Sequence, residues 1–332
     1  MKKFLFVVVI IVLFAIGVGV YVFGSKGEST KIYHIGILSG LSLFDQNIDG
    51  FKQKMTELGY IEGKNIVYDI YKTNFEPEKE KQIFKKFVDD KVDLIFTFPT
   101  EVSLEARDAI SGSNVPLVFG DAFTDGNNLI KSIPEPGGNL TGVRYPGAEV
   151  IVKNLEDIHI LMPSAKRIYV PYEPSYPATK PVLDSLRPRA KALGLTLVEV
   201  PVTNIEELKN DIDKRSKLKD PGVDAIITTA NTIIPSPPAI AILASFAIKY
   251  KIPYEGPVGP DIPGTVLFEN PDNIETGMQS AVLADKIFRG VPAGKIPVVS
   301  AEAYLSFNYK VAKALGFPIN DSLLSRAKQI VR

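Results

Sequence analysis

The sequence predicts an α/β protein of two doubly wound parallel-sheet lobes joined by a hinge and preceded by an N-terminal membrane helix. Three observations carry that reading. Strand-like and helix-like segments alternate from residue 32 to residue 261, the order that builds parallel sheets with helices on both faces. The order then repeats: KVDLIFTFPT (91–100) is echoed by GVDAIITTANT (222–232), and NVPLVFGD (114–121) by KIPYEGPVGPD (251–261). Ahead of both halves lies an uncharged apolar run from Phe4 to Phe23.

The elements follow in order. Lys2 and Lys3 precede the apolar run, which at ~1.5 Å per residue reaches about 30 Å, the thickness of a bilayer core. It is either an uncleaved anchor or a signal cut near Gly17, Gly19 or Gly24. In both cases the lysines stay inside and the remainder is extracytoplasmic. After the linker SKGEST (25–30), strands are expected from Ile32 and over 65–71, 92–98 and 115–121. Helices are expected from Asp45 and over 78–90 and 101–111, the first carrying Ile48, Phe51, Met55 and Leu58 at helical spacing. VDLIFTF is a near-continuous apolar run, as suits a strand covered on both faces. The second half places strands at 165–172, 195–202, 223–229 and 252–261, with helices at 148–161, 178–192, 205–218 and 237–250.

Composition narrows the chemistry. Formal net charge is zero across 332 residues, which argues against nucleic acid as a partner. There is no cysteine, so disulfides, thiolate metal sites and a lipid-anchoring cysteine are excluded. His34 and His159 show no metal-ligand spacing. No nucleophile elbow or phosphate-binding glycine loop is present, and neither an enzyme, a metal nor a cofactor is expected. SIPEPGGNLTGVRYP (132–146) lies where the chain should leave the first lobe. Gly137 and Gly138, with Gly142, are read as the hinge, glycine allowing wide backbone torsions. Asn139-Leu140-Thr141 within it is also a glycosylation triplet.

In doubly wound sheets ligands sit beyond the carboxyl ends of the strands. That rule selects Ser42, Phe44 and Asp45 after the first strand, Asp45 being equally suited to cap the helix that starts there. It selects Thr100 and Ser103 after the third, at a helix start suited to a carboxylate. Asp121, Phe123 and Thr124 follow the fourth.

PEPGGNLTGV, GYIEGKNI (59–66) and VDLIFTFPT together resemble the substrate-binding protein family of ABC transporters, of the type I periplasmic-binding fold. The resemblance runs from about Ile35 to Phe317 and includes NPDNIETGMQSAVLADKIFRG (270–290) and FNYKVAKALGFPI (307–319). It implies a three-crossing hinge, with crossings near 140–146, 262–266 and 291–302. Lobe one is then 31–143 plus about 264–295, and lobe two 144–263 plus about 296–332. In lobe two, YEPSYPAT is similar to the family's asparagine–proline–serine turn and offers Tyr172, Ser175 and Tyr176. TTANTI is similar to an aspartate–asparagine–threonine motif, keeping Asn231 and Thr232 but with Ala230 in place of the acid. Asp261 matches an acidic position. Gly126 stands where the family commonly has proline. The function so implied is a monomeric receptor that closes around a small ligand, an amino acid such as an aromatic one, and delivers it to an ABC permease. The alternative is a ligand-sensing partner of a membrane receptor or kinase.

Overall fold

A computed structural model of the protein describes residues 31–257, 259 and 262–332. The expected membrane helix, the linker and Asp261 lie outside these residues. Among the described residues no helix is long and apolar enough to cross a membrane.

The first sheet contains β1 (Tyr33–Ser39), β2 (Ile66–Lys72), β3 (Leu94–Phe98), β4 (Leu117–Ala122) and β5 (Leu140–Arg144). The second contains β6 (Arg167–Tyr172), β7 (Thr196–Pro201), β8 (Ala225–Ile226), β9 (Tyr254–Glu255) and β10 (Thr265–Pro271). A short β11 (Val299–Ser300) joins the first sheet, while β12 (Ala303–Asn308) and β13 (Gln329–Val331) join the second. The orders are β11-β5-β4-β3-β1-β2 and β13-β12-β10-β9-β8-β6-β7. Each sheet therefore repeats one winding, with its order reversing beside β1 and beside β6. Pairing is parallel except between β10 and β12, an antiparallel join that the alternation of segments does not reveal.

Helices cover both faces of each sheet. They are α1 (Gln46–Glu57), α2 (Pro77–Asp89), α3 (Thr100–Ala109), α4 (Gly147–Leu161), α5 (Thr179–Ala192), α6 (Ile205–Arg215), α7 (Pro237–Tyr250) and α8 (Asn273–Phe288), followed by α9 (Tyr309–Leu315) and α10 (Asp321–Arg326). β3 and β4 are buried along their whole length, which explains their unbroken apolar sequence. One cluster around Phe51, Phe96 and Leu283 packs on one face of the first sheet, and another around Phe84, Phe87 and Phe119 on the other. In the second sheet, clusters around Ile168 and Phe307 and around Tyr169 and Tyr254 do the same. Local signals fix helix starts: Asn204 accepts from the Glu207 N–H, and the Glu207 side chain accepts from Thr203 N–H, a reciprocal cap.

The chain passes from the first sheet to the second between Arg144 and α4, back between Pro271 and α8, and over again between Ser300 and Ala303. The second passage differs from the expected 262–266. Residues 265–271 pair with β9 and β12, so they belong to lobe two, and the return to lobe one is made by α8, which packs on α1. There Ile48, Phe51 and Met55 face inward. The third passage lies at the end of the expected 291–302, because β11 still pairs with β5.

The glycine pair stands at the wrong end of β5 for a hinge. Gly137 and Gly138 precede that strand, and the chain crosses only after it. Gly137 N–H donates to the Gly294 carbonyl at 3.2 Å. Gly142 lies within β5, where a Cβ would come within 2.4 Å of the Phe119 ring; it is there for packing. The glycosylation triplet is engaged as well: the Asn139 amide donates to the Ser113 carbonyl and Thr141 is buried, donating to the Ile296 carbonyl.

Candidate functional site

A cavity of about 690 Å³ lies between the carboxyl ends of the two sheets. From lobe one come the loop after β1, the start of α3, Asp121, Phe123 and the crossing residue Tyr145. From lobe two come Tyr176, residues 228–232, Glu255 on β9 and the stretch from Phe268 to Pro271. Asn154, on the buried face of α4 with Val150, Ile151, Leu155, Asp157 and Ile158, closes the floor.

The lobes meet across this space. Tyr176 stands edge-on to Phe123, centroids 6.2 Å apart, and Phe123 lies 4.8 Å from Tyr145. The Tyr176 hydroxyl reaches Thr100 and Glu101. Gly126 of lobe one has φ +75°, and a Cβ there would sit 2.1 Å from the Pro177 carbonyl oxygen of lobe two. Neither the proline that the resemblance leads one to expect nor any larger residue fits that approach.

Burial shapes the electrostatics. Glu255 is fully enclosed, which raises its pKa to about 8 even though Thr228 donates to it through N–H and hydroxyl, at 3.0 and 2.9 Å. The Asn154 amide donates to its other oxygen at 3.0 Å. Asp121 is raised to about 6 by burial, opposed by a 2.7 Å hydrogen bond from Asn47. Its φ of +48° is a left-handed conformation that aspartate tolerates. Glu269 is raised to about 7, first by burial and then by the nearby Asp157. Burial also raises Glu101.

The cavity gathers Phe44, Thr100, Asp121, Phe123, Tyr176, Asn231 and Thr232 from the sequence-derived set. It does not gather Ser42, Asp45, Ser103, Thr124, Tyr172 or Ser175, and for most of these the structure shows another role. Ser42 is exposed in a short 3-10 turn. The Asp45 carboxylate accepts from Ser39 at 2.8 Å and pairs with Lys72 at 2.6 Å, with no side-chain cap bond to α1. Ser103 turns back into its own helix, donating to the Pro99 carbonyl at 2.7 Å beside Thr97. Thr124 is buried, and Tyr172 packs against the lobe-two core. Ser175 lines a smaller neighbouring cavity of about 230 Å³ and donates to Glu173. Asn231 lines the main cavity while organising its own turn, its side-chain oxygen accepting from Ile233 and Ile234 N–H. Thr232 is held by Glu173 through N–H and hydroxyl, so the glutamate that replaces asparagine in that turn ties two lobe-two loops together.

Sequence reasoning missed Glu255, Asn154, Glu269 and Tyr145. A signal existed for two of them: Glu255 is a carboxylate inside an apolar strand-like segment, and Asn154 a polar residue at an apolar helical position. No metal-binding cluster occurs among the described residues.

Comparison with known proteins agrees with this architecture. A family model described as ABC transporter substrate binding protein matches residues 31–331. A tyrosine-binding protein of Clostridioides difficile (strain R20291) is 30% identical over 300 residues, covering 87% of this chain and 83% of that one. Among solved structures, an ABC domain in complex with L-Trp from Streptococcus pneumonia has a TM-score of 0.75 at 22% identity, covering 91% of this chain and 100% of that one. The ligand-free, open structure of a substrate-binding protein with adhesive properties from Clostridium difficile has a TM-score of 0.72 at 23% identity, covering 91% and 99%. These structural likenesses show the fold.

Proposed function

The chain belongs to the family of ABC transporter substrate-binding proteins, and from that premise we propose that it is a monomeric extracytoplasmic receptor which closes on a small amine-bearing solute and passes it to an ABC permease. The family and the relatives bind solutes and are not enzymes. Residues 4–23 hold the receptor at the membrane, or serve as its export signal. The carrying observation is the cavity of about 690 Å³, walled by both lobes and large enough for a molecule of amino-acid size. The tyrosine-binding relative and the L-Trp complex support a ligand of that size with an aromatic body.

Closure needs no chemistry. A ligand touching Asp121 and Phe123 on one side and Glu255 and Tyr176 on the other makes its full contacts only when the lobes meet. The closed state is favoured by that difference alone. The bending falls on the three crossing strands, with Tyr145 and Pro146 in the first of them. Thermal melting of the full-length protein against amino acids and their amines tests the binding half. A ligand at 100 times its dissociation constant stabilises by about 2.7 kcal/mol, and a panel with no response removes the receptor reading. Loss of uptake of the identified solute on deleting the protein tests delivery; intact uptake would favour sensing instead.

A further inference from the structure

Resting on the receptor reading, a more specific statement follows from what the cavity leaves unsatisfied. Among the described residues lining it, three side-chain oxygens are buried without any hydrogen-bond partner: Asn154 Oδ1, Glu269 Oε2 and Asn270 Oδ1. Asn154 is 1% exposed, and its amide nitrogen is already turned onto Glu255, so its free oxygen can only accept. A buried acceptor without a donor is costly, so a wall built from these residues suits a ligand that brings donors better than one that brings acceptors.

The acidic groups point the same way, since a cation placed beside them would oppose the upward shift that burial imposes. Five carboxylates line the cavity, those of Glu101, Asp121, Glu255, Glu269 and Asp272, against one basic group among the described lining residues, Lys328. That ammonium is committed: it pairs with Asp272 at 3.1 Å and sits 3.8 Å over the Tyr304 ring. Among the described residues Asp121 and Glu255 have no cationic partner.

An anionic group on the ligand would look for helix N-termini, and at the cavity the protein sets its own carboxylates at or beside these. At α3 the Glu101 carboxylate stands in the first turn. At α8 the Asp272 carboxylate accepts from Ile274 and Glu275 N–H, at 2.9 and 3.3 Å. The third, at Gln46, follows Asp45, which makes no side-chain cap bond to it. The aromatic wall of Phe123, Tyr145 and Tyr176 suits a cation as well as an apolar ring.

We propose that the ligand of this cleft is an organic cation, with an aromatic or apolar body, one or more ammonium groups and no free carboxylate. The ammonium lies between Asp121 and Glu255, next to the Asn154 side chain. Calorimetric titration of the full-length protein with matched pairs differing only in the carboxylate tests this: tyramine against L-tyrosine, tryptamine against L-tryptophan, cadaverine against L-lysine. At least one amine should bind tenfold or more tightly than its amino acid. Glu255→Gln and, separately, Asp121→Asn should each weaken that amine by tenfold or more, while both variants keep the native circular dichroism spectrum. An amino acid binding as tightly as its amine or more so would overturn the cation assignment and leave the receptor reading standing. Silence from every member of every pair would overturn both.

Discussion

The rims of the two sheets share a winding order but not a chemistry. On lobe one the hydroxyls and carboxylates nearest the strand ends are mostly bonded within the lobe, the buried Thr124 hydroxyl excepted: Ser103 to Pro99, Asp45 to Ser39 and Lys72, Asp121 to Asn47. On lobe two and its floor, Asn154, Glu269 and Asn270 keep acceptors with no hydrogen-bond partner among the described residues. Residue type at a strand end says what a side chain is able to bond. Only the packed neighbourhood says whether the bond has already been made, and the groups left over define what the ligand must bring.

The largest effect that sharpens this contrast is a pH dependence. Glu255 has a folded-state pKa near 8 against an ordinary value of 4.5, so folding holds a proton that the unfolded chain releases. Its stabilising contribution is complete below about 4.5 and is lost as pH rises towards 8. Asp121 and Glu269, near 6 and 7, act in the same sense. The groups facing Glu255 are Thr228, Asn154, Tyr145, Tyr254 and Glu269, with Asp157, Lys153 and Arg326 gathered behind Glu269. Among the described residues no cation touches Glu255 directly. The ligand-free protein should therefore lose up to about 1.4 kcal/mol per pH unit from this one group between pH 5 and 8. Denaturant melts should show the slope, and Glu255→Gln should flatten it; a slope unchanged in the variant would assign it to other groups.

A second, smaller effect separates contact between lobes from backbone strain. Gly126→Ala puts a methyl against the Pro177 carbonyl and also strains a positive φ, whereas Gly137→Ala meets the same strain at φ +80° with its nearest neighbour 3.6 Å away. Both should cost about 1 kcal/mol of stability. Only Gly126→Ala should weaken ligand binding, by tenfold or more, and leave the protein more open in small-angle scattering. Equal binding by the two variants would show that this contact does not limit closure.

Much of the fold was legible because its central strands are long apolar runs: β3 and β4 are buried end to end and read as strands without ambiguity. The edges were not. β11 has two residues and β13 three, too short for a pattern to emerge, and β10 carries Glu269 and Asn270 into the cavity where a core strand would be apolar. The site was half legible for a related reason. Phe123, Thr100 and Asp121 follow strands of clear pattern, so the rule of strand ends reached them. Glu255 sits in a strand only two residues long, and the neighbouring GPVGPD drew attention to Asp261 instead. Asn154 is presented by a helix rather than by a loop, where that rule does not look. The hinge was misplaced because glycine permits bending without requiring it: Gly137 and Gly138 serve the loop before β5, and the crossing itself is made by Tyr145 and Pro146.

The smallest expected effects test whether the bonded rim of lobe one is structural throughout. Ser103→Ala removes a fully buried hydroxyl that bonds Pro99 and Thr97, and leaving Thr97 short of a partner should cost about 1–2 kcal/mol. Asp45→Asn weakens a half-exposed pair with Lys72, worth less than about 1 kcal/mol and screened by salt. Neither side chain lines the cavity, so ligand affinity should stay within twofold of the parent in both. Asn154→Ala provides the opposite case: it removes an acceptor with no partner among the described residues, together with one donor to Glu255. It should weaken ligand binding by more than it lowers the melting point of the ligand-free chain. Should Ser103→Ala lose affinity while Asn154→Ala does not, the division between the two rims would be reversed, and the ligand would sit on lobe one with its anionic end at α3.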